Sequence, residues 1–459
     1  MNDRNKPKPA SQADVTRRDF LKTTSTVVGG SFLGSLSIER SAHAQGSDTV
    51  KVALVGCGGR GSGAADQALS TEGSIKLVAA ADAFRERIDG SLGQLARKHK
   101  EKIEIADDRK FVGFEAYKEA IALADVVILA TPPGFRPIHF EEAIRQGKHV
   151  FMEKPVAVDG PGVRRVLAAA AEAKKKNLKV GVGLQRHHQA GYIETLKRLH
   201  DGAIGDIVSM RCYWNGSTPW LKKRADLERA AGRALTEIEY QMRNWYYFVW
   251  LCGDHIVEQH IHNLDVINWV KNGYPVRAYG MGGCEVRKGP DYGEIFDHHA
   301  VEFEYADGSR CASQCRHIFG CWNNVSEHVV GTKGSCNVSG HVIKLNEFDW
   351  GLGGRTWSYG RQGARDPYQQ EHDDLFQAIR NDKPFNEAEN GAKSSLTAIM
   401  GRMATYSGQV IEWDQALDSQ VDQMPKIFAW DAPAPVQPGP DGMYPLAVPG
   451  NRDWLRKIV

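Results

Sequence analysis

The stretch Thr49-Val50-Lys51-Val52-Ala53-Leu54-Val55-Gly56-Cys57-Gly58-Gly59-Arg60-Gly61 decides the fold. A short apolar run from Thr49 to Val55 stops at a glycine-rich turn, and a helix-compatible segment, Ser62 to Leu69, follows. A second apolar run, Ile75 to Ala81, ends in Asp82, 21 residues past Gly61. A lone G-x-G-x-x-G is weak evidence. Placed between a strand and a helix, with an acid at the end of the next strand, it has the context that dinucleotide binding requires. Gly56 allows the tight turn, Gly58 lets a pyrophosphate approach the backbone, and Gly61 lets the helix lie close on the strand. Gly59 and Arg60 open the helix, whose first N–H groups face the phosphates. Asp82 accepts from both ribose hydroxyls, and its charge repels a 2′-phosphate. That favours NAD over NADP, although Arg85 and Arg87 lie nearby.

Working outward, DVVILA at 125–130 ends in Thr131-Pro132-Pro133, and the run His149 to Met152 ends in Glu153-Lys154-Pro155. Short unbroken apolar runs spaced by helical patterns indicate a parallel sheet buried on both faces. The expected fold is α/β: an N-terminal Rossmann sheet over 45–175, then an α+β domain over 176–425 with an open, largely antiparallel sheet. Strands are expected at 206–214, 275–281, 301–305 and 310–317, with Asp307-Gly308 as a hairpin turn. Helical patterns fall at 192–200, 254–271, 371–381 and 391–409. The Pro/Gly-rich tail, 426–459, lacks periodicity and is expected to wrap this chain's surface or a neighbouring subunit.

The N-terminus is expected to be an address rather than a fold element. Thr16-Arg17-Arg18-Asp19-Phe20-Leu21-Lys22 precedes a mildly apolar stretch and the small-x-small site Ala42-His43-Ala44. Paired arginines before Phe-Leu-Lys resemble a twin-arginine export signal over 1–44, which implies the translocation machinery as a partner and a periplasmic mature protein. The composition is ordinary: 42% apolar and 25% charged, with formal charge +2, or −1 without residues 1–44. Bulk charge therefore gives no support to nucleic-acid binding. The eight cysteines form no C-x-x-C pair, which disfavours a zinc ribbon or a thioredoxin motif.

Lys154 stands at the carboxyl end of a strand, where open α/β sheets bind ligands. From there it can reach both a nicotinamide and a substrate hydroxyl, or it is a solvated loop lysine. In the string Gly253-Asp254-His255-Ile256-Val257-Glu258-Gln259-His260-Ile261-His262-Asn263-Leu264-Asp265, a continuous helix makes Glu258 and His262 neighbours at i, i+4. A carboxylate beside an imidazole suits proton removal from an alcohol. The same string also reads as a capping acid with a core histidine, as a metal site of His255, Glu258 and His262, or as surface polarity. The metal reading lacks H-E-x-x-H spacing, and hydride chemistry needs no metal. Arg186, His187 and His188 follow the strand KVGVGL and suggest a cleft for a polyhydroxylated substrate, or a solvated loop. Trp245, in an aromatic cluster, could stack on a sugar face or pack in the core.

Together the G-x-G-x-x-G turn, the Asp82 strand end, ATPP at 130–133, EKP at 153–155 and the 253–265 string resemble the Gfo/Idh/MocA (glucose–fructose oxidoreductase / inositol dehydrogenase) family. The resemblance covers roughly residues 50–410. It implies Lys154 as a catalytic, nicotinamide-side residue, His262 as acid/base, and a C-terminal sheet that often pairs subunits into a homo-oligomer. The family's usual Asp at 258 is a Glu here. Glu258 is expected to position His262. Thr131, Pro132 and Glu153 are expected to line the cofactor, and Asp265 the substrate, a carbohydrate or cyclitol. A related branch implies a redox-neutral glycosidase as the alternative activity. A binding protein without chemistry is the alternative of another class.

Overall fold

A computed structural model describes residues 49–346, 355–360 and 364–451. The expected leader, 1–44, and the end of the tail lie outside the described residues. Strands β1 (Val50–Val55), β2 (Ile75–Asp82), β3 (Lys110–Val112), β4 (Val126–Leu129), β5 (His149–Met152) and β6 (Val180–Val182) form a parallel sheet in the order β3-β2-β1-β4-β5-β6. The order reverses beside β1, so its carboxyl end opens onto a crevice.

Side-chain alternation explains the layering. Val52 and Leu54 of β1 point to one face and pack with Ala64, Ala68 and Leu69 of the Gly59–Leu69 helix. Ala53 and Val55 point to the other face, among Ala120, Phe140 and Ala143. With both faces covered, the strands carry no polar side of their own, which is why they read as unbroken apolar runs. The sheet extends past residue 175, because β6 belongs to it. Three residues are too few to show a period. The Pro367–Arg380 helix also returns to this sheet, burying Leu375 and Phe376 against the first face. Each such side chain contributes about 1.5–3 kcal/mol.

A second, nine-stranded sheet contains β7 (Ile207–Gly216), β8 (Arg277–Gly283), β9 (His298–Glu304), β10 (Arg310–His317), β11 (Asn324–Gly331), β12 (Gly334–Asn337), β13 (Val342–Leu345), β14 (Thr356–Ser358) and β15 (Ile411–Glu412). Its order is β14-β13-β12-β11-β7-β10-β9-β8-β15. Every pair is antiparallel except β7 with β10. β9 and β10 meet at Asp307-Gly308, where Gly308 takes φ +81° and Asp307 accepts from the Ser309 N–H. The inner face buries Cys311, Cys315, Val301 and Phe303, and β8 and β9 pack against the Ala388–Ser407 helix, where Phe303 meets Gly401. Among the described residues, no helix is long and apolar enough to cross a membrane.

Candidate functional site

The glycine turn after β1 combines crowding and openness. Gly56 has φ +93°, and a Cβ there would lie 2.4 Å from the Thr131 nitrogen. A Cβ on Gly61 would lie 1.9 Å from the Gly56 carbonyl oxygen, so the helix touches the strand there. Nothing lies within 4 Å of a Cβ position at Gly58 or Gly59. The backbone is thus exposed where a pyrophosphate would lie, at a helix N-terminus whose first turn holds no acid. Asp82 ends β2, and its carboxylate accepts from the Cys57 N–H at 2.7 Å and the Phe84 N–H at 3.0 Å. These bonds fix it beside the turn, and burial raises its pKa. Asp82, Thr131 and Pro132 line one cleft. The nearby Arg85 is drawn away, pairing with Asp89 at 3.0 Å and Asp107 at 2.5 Å.

The ends of β4 and β5 are tied by a residue that the sequence did not single out. Arg136, 1% exposed, donates to the carbonyls of Leu129 (2.8 Å), Thr131 (2.8 Å) and Glu153 (2.9 Å). Only the fold shows that these three carbonyls converge. Across the cleft mouth, Arg60 Nε pairs with Glu153 Oε1 at 2.7 Å. Lys154 follows, and its ammonium pairs with Glu258 Oε1 at 3.0 Å.

Here the structure corrects the expected partnership of Glu258. Residues 253–265 are not one helix but two, His255–Glu258 and Ile261–Lys271. At the break, the His260 N–H bonds the His255 carbonyl and the His262 N–H bonds the Gln259 carbonyl. The i, i+4 geometry between Glu258 and His262 is lost. The Glu258 carbonyl, released from helical bonding, accepts Lys154 Nζ at 2.5 Å. Glu258 therefore holds Lys154 twice, by carbonyl and by carboxylate, and orients the lysine rather than the histidine. The Tyr246 hydroxyl is a further group at this carboxylate. Burial first, then the charge of Glu258, push the phenol well above its usual range.

His262 is 7% exposed, stacks 5.9 Å from Trp214, and leaves Nδ1 buried without a hydrogen-bond partner. Burial, then the positive charges of Lys154 and Arg186, hold it well below the usual imidazole range, so the ring is neutral. The charge of Lys154 thus reaches the ring of His262, although the two are 108 residues apart in sequence. The third possibility for the string, a shared face of His255, Glu258 and His262, is absent. His255 is fully buried and stacks 4.2 Å from His317, in a separate cluster with Asp254 and His299.

The expected substrate contacts divide. Arg186 is paired with buried Glu327, which also accepts from Tyr192 at 3.1 Å and from Asn263. His187 remains partly open, stacked 4.3 Å from Trp269 and held by Asp265 Oδ2 at 2.8 Å. Asp265 is 1% exposed and also accepts from Asn390 (3.0 Å) and Ser394 (2.8 Å). It positions His187 and does not face a substrate. His188 also turns away, bridging Asp374 at 2.6 Å and Glu387 at 3.0 Å. Trp245 is half-buried beside Trp220 (5.9 Å) and Tyr246 (5.5 Å). Its neighbour Tyr246 carries the hydroxyl on which the charge of Glu258 acts.

Residues 50–183 match the oxidoreductase family with an NAD-binding Rossmann fold, Gfo/Idh/MocA. Among curated proteins, the chain is 27% identical over 223 residues to 2,7-anhydro-N-acetylneuraminate hydratase of Escherichia coli, covering 47% of this chain and 52% of that protein. It is 32% identical over 162 residues to inositol 2-dehydrogenase of Rhizobium meliloti, covering 35% and 43%. The chain thus spans about half the length of these relatives. The crystal structure of an aldose-aldose oxidoreductase from Caulobacter crescentus shares the fold, with TM-score 0.60 and 19% identity over 79% of this chain and 99% of that one. The glycine turn, the Asp82 strand end and the matched segment converge: residues 50–183 hold the six-stranded parallel sheet and match the Gfo/Idh/MocA oxidoreductase family with an NAD-binding Rossmann fold.

Proposed function

We propose that this protein is an NAD-dependent oxidoreductase acting on a secondary alcohol of a sugar, sugar derivative or cyclitol. One observation carries the reading: Lys154, at a Rossmann strand end, is paired at 3.0 Å with Glu258 of the second domain, four residues before His262. Gly56, Gly58, Gly59, Arg60, Gly61, Asp82, Thr131, Pro132, Glu153 and Lys154 would hold the dinucleotide. Bound there, a nicotinamide would exchange a hydride with the alcohol carbon. The chain's own residues handle the proton. His262, neutral, takes it from the hydroxyl, and Lys154 orients and polarises the same oxygen. Glu258 fixes Lys154 from two sides, and His187, partly open, faces the remaining hydroxyls. Engagement of Arg85 by two carboxylates, together with the charge of Asp82, supports NAD over NADP.

General-base assistance is worth about 10²–10⁴ in rate. His262→Ala is expected to lose at least that much turnover, read as NADH formation with a panel of sugars and cyclitols, while NAD binding by calorimetry is unchanged. Unaltered turnover removes His262 from the mechanism.

A redox-neutral reaction is the second reading, favoured by the relative named as a hydratase. Cleavage or hydration of a glycoside without net NADH would select it. The reading further includes export through the arginine-paired leader, with a mature chain beginning at Gln45, and pairing of copies through the second sheet. Mass spectrometry of the secreted protein tests the start site.

A further inference from the structure

We propose that the C-terminal segment around Phe428 and Trp430 forms the outer wall of the adenine pocket and retains the dinucleotide. The inference rests on the cofactor reading of the cleft beside Asp82.

Two cavities meet at this end of the sheet. One, beside Asp82, is lined by Phe114, Thr131 and Pro132. The other, about 740 Å³, lies between the segment after β3 and residues Phe428 to Asp431. They share Gly113, Phe114 and Ala116, so one runs into the other. An adenosine whose ribose reaches Asp82 has its base directed into this space.

The walls are aromatic. The Trp430 ring lies 4.6 Å from Phe114 and 5.3 Å from Phe84, centroid to centroid. Phe428 lies 6.0 Å from Phe114 and 5.6 Å from Phe135. Phe84 is two residues past Asp82, and its N–H is bonded to that carboxylate. Phe114, Phe428 and Trp430 line the larger cavity and are only half-buried, so ring surface remains for a flat base. Purines stack on such faces without needing a hydrogen-bond code.

The segment is fastened at both ends. The Gln423 N–H bonds Asp159 at 2.8 Å, beside the parallel sheet. Further on, Gln241 donates to the Val436 carbonyl at 2.8 Å, Tyr444 bonds Glu237, and the Gly450 N–H bonds the Ser407 carbonyl at 2.9 Å. A chain anchored on the first domain and then on the second crosses the adenine end as a strap. Release of a dinucleotide requires the strap to lift. Release of a nicotinamide fragment does not.

The test uses the full chain, with equilibrium binding and dissociation rates for NAD, ADP-ribose and nicotinamide mononucleotide. Trp430→Ala and Trp430→Leu are compared with the parent, the leucine keeping apolar packing without the ring. The expected result is NAD and ADP-ribose binding weakened by about tenfold to a hundredfold in both variants, faster dissociation, unchanged nicotinamide mononucleotide binding, and recovery in Trp430→Phe. Parent-like affinity and dissociation in a folded Trp430→Leu protein would overturn the strap. A parent that binds neither NAD nor ADP-ribose overturns the cofactor reading itself, and so separates the two failures.

Discussion

The proposed preference for NAD rests on a single carboxylate, that of Asp82. Its two backbone hydrogen bonds hold it at the rim of the glycine turn, so its charge cannot swing away from an incoming ribose. Asp82→Asn keeps the size and removes the charge. The expected outcome is a ratio of kcat/KM for NADP over NAD that rises at least about tenfold, equivalent to about 1.4 kcal/mol of differential binding. An unchanged ratio shows that discrimination lies elsewhere. Glu258 carries the opposite lesson. Its identity was visible in sequence and its partner was not, because one hydrogen-bond shift at Gln259–His260 turned it from His262 to Lys154.

At the scale of elements, the glycines of the first turn separate folding from binding. Gly61→Ala forces a Cβ into the Gly56 carbonyl. Such overpacking costs about 1–3 kcal/mol, and a lowered Tm together with lost NAD binding is expected. Gly58 has φ −75° and open space at its Cβ. Gly58→Ala is therefore expected to keep Tm within about 1–2 °C, since surface changes are usually within ±0.5 kcal/mol, while NAD binds more weakly. Equal effects in the two variants would refute this division.

His188, on the turn after β6, ties Asp374 of the Pro367–Arg380 helix to Glu387. Burial opposes its charge, but hydrogen bonds to Asp374 and Glu387 prevail and raise it to about 10. An unfolded histidine titrates near ~6.5. The folded value is the higher one, so the contribution is complete below about 6.5 and lost as pH rises through about 10. Thermal unfolding is expected to show Tm falling between pH 7 and 10, with a shallower fall in His188→Gln. Parallel profiles would show that His188 is not the group responsible.

Across the whole molecule, the second sheet presents apolar side chains outward. On the face turned away from the core, Met281 of β8 is 79% exposed and Val330 of β11 is 44% exposed. An open sheet with such a face supports pairing of copies. Light scattering is expected to return at least twice the chain mass, and Met281→Lys with Val330→Lys to reduce it. A monomeric parent protein would count against the pairing. The tail also acts at this scale. Its Pro/Gly-rich composition indicated an irregular segment wrapping this chain or a neighbour, and its attachment to two domains emerges from hydrogen bonds that no local pattern encodes.

The sequence alone determined the Rossmann half. Strand runs buried on both faces, a glycine turn and an acid at the next strand end are local signals, each fixed by backbone sterics or by burial within a few residues. It also singled out Lys154 and His262, because rare residue types at strand ends and in polar strings stand out. Only the tertiary structure decided who touches whom: Arg136 gathering three carbonyls, Glu258 on Lys154, and Asp265 and His188 spent on internal partners. Those pairings depend on long-range packing and on a shift in helical hydrogen bonding, and neither leaves a period or a motif in the chain.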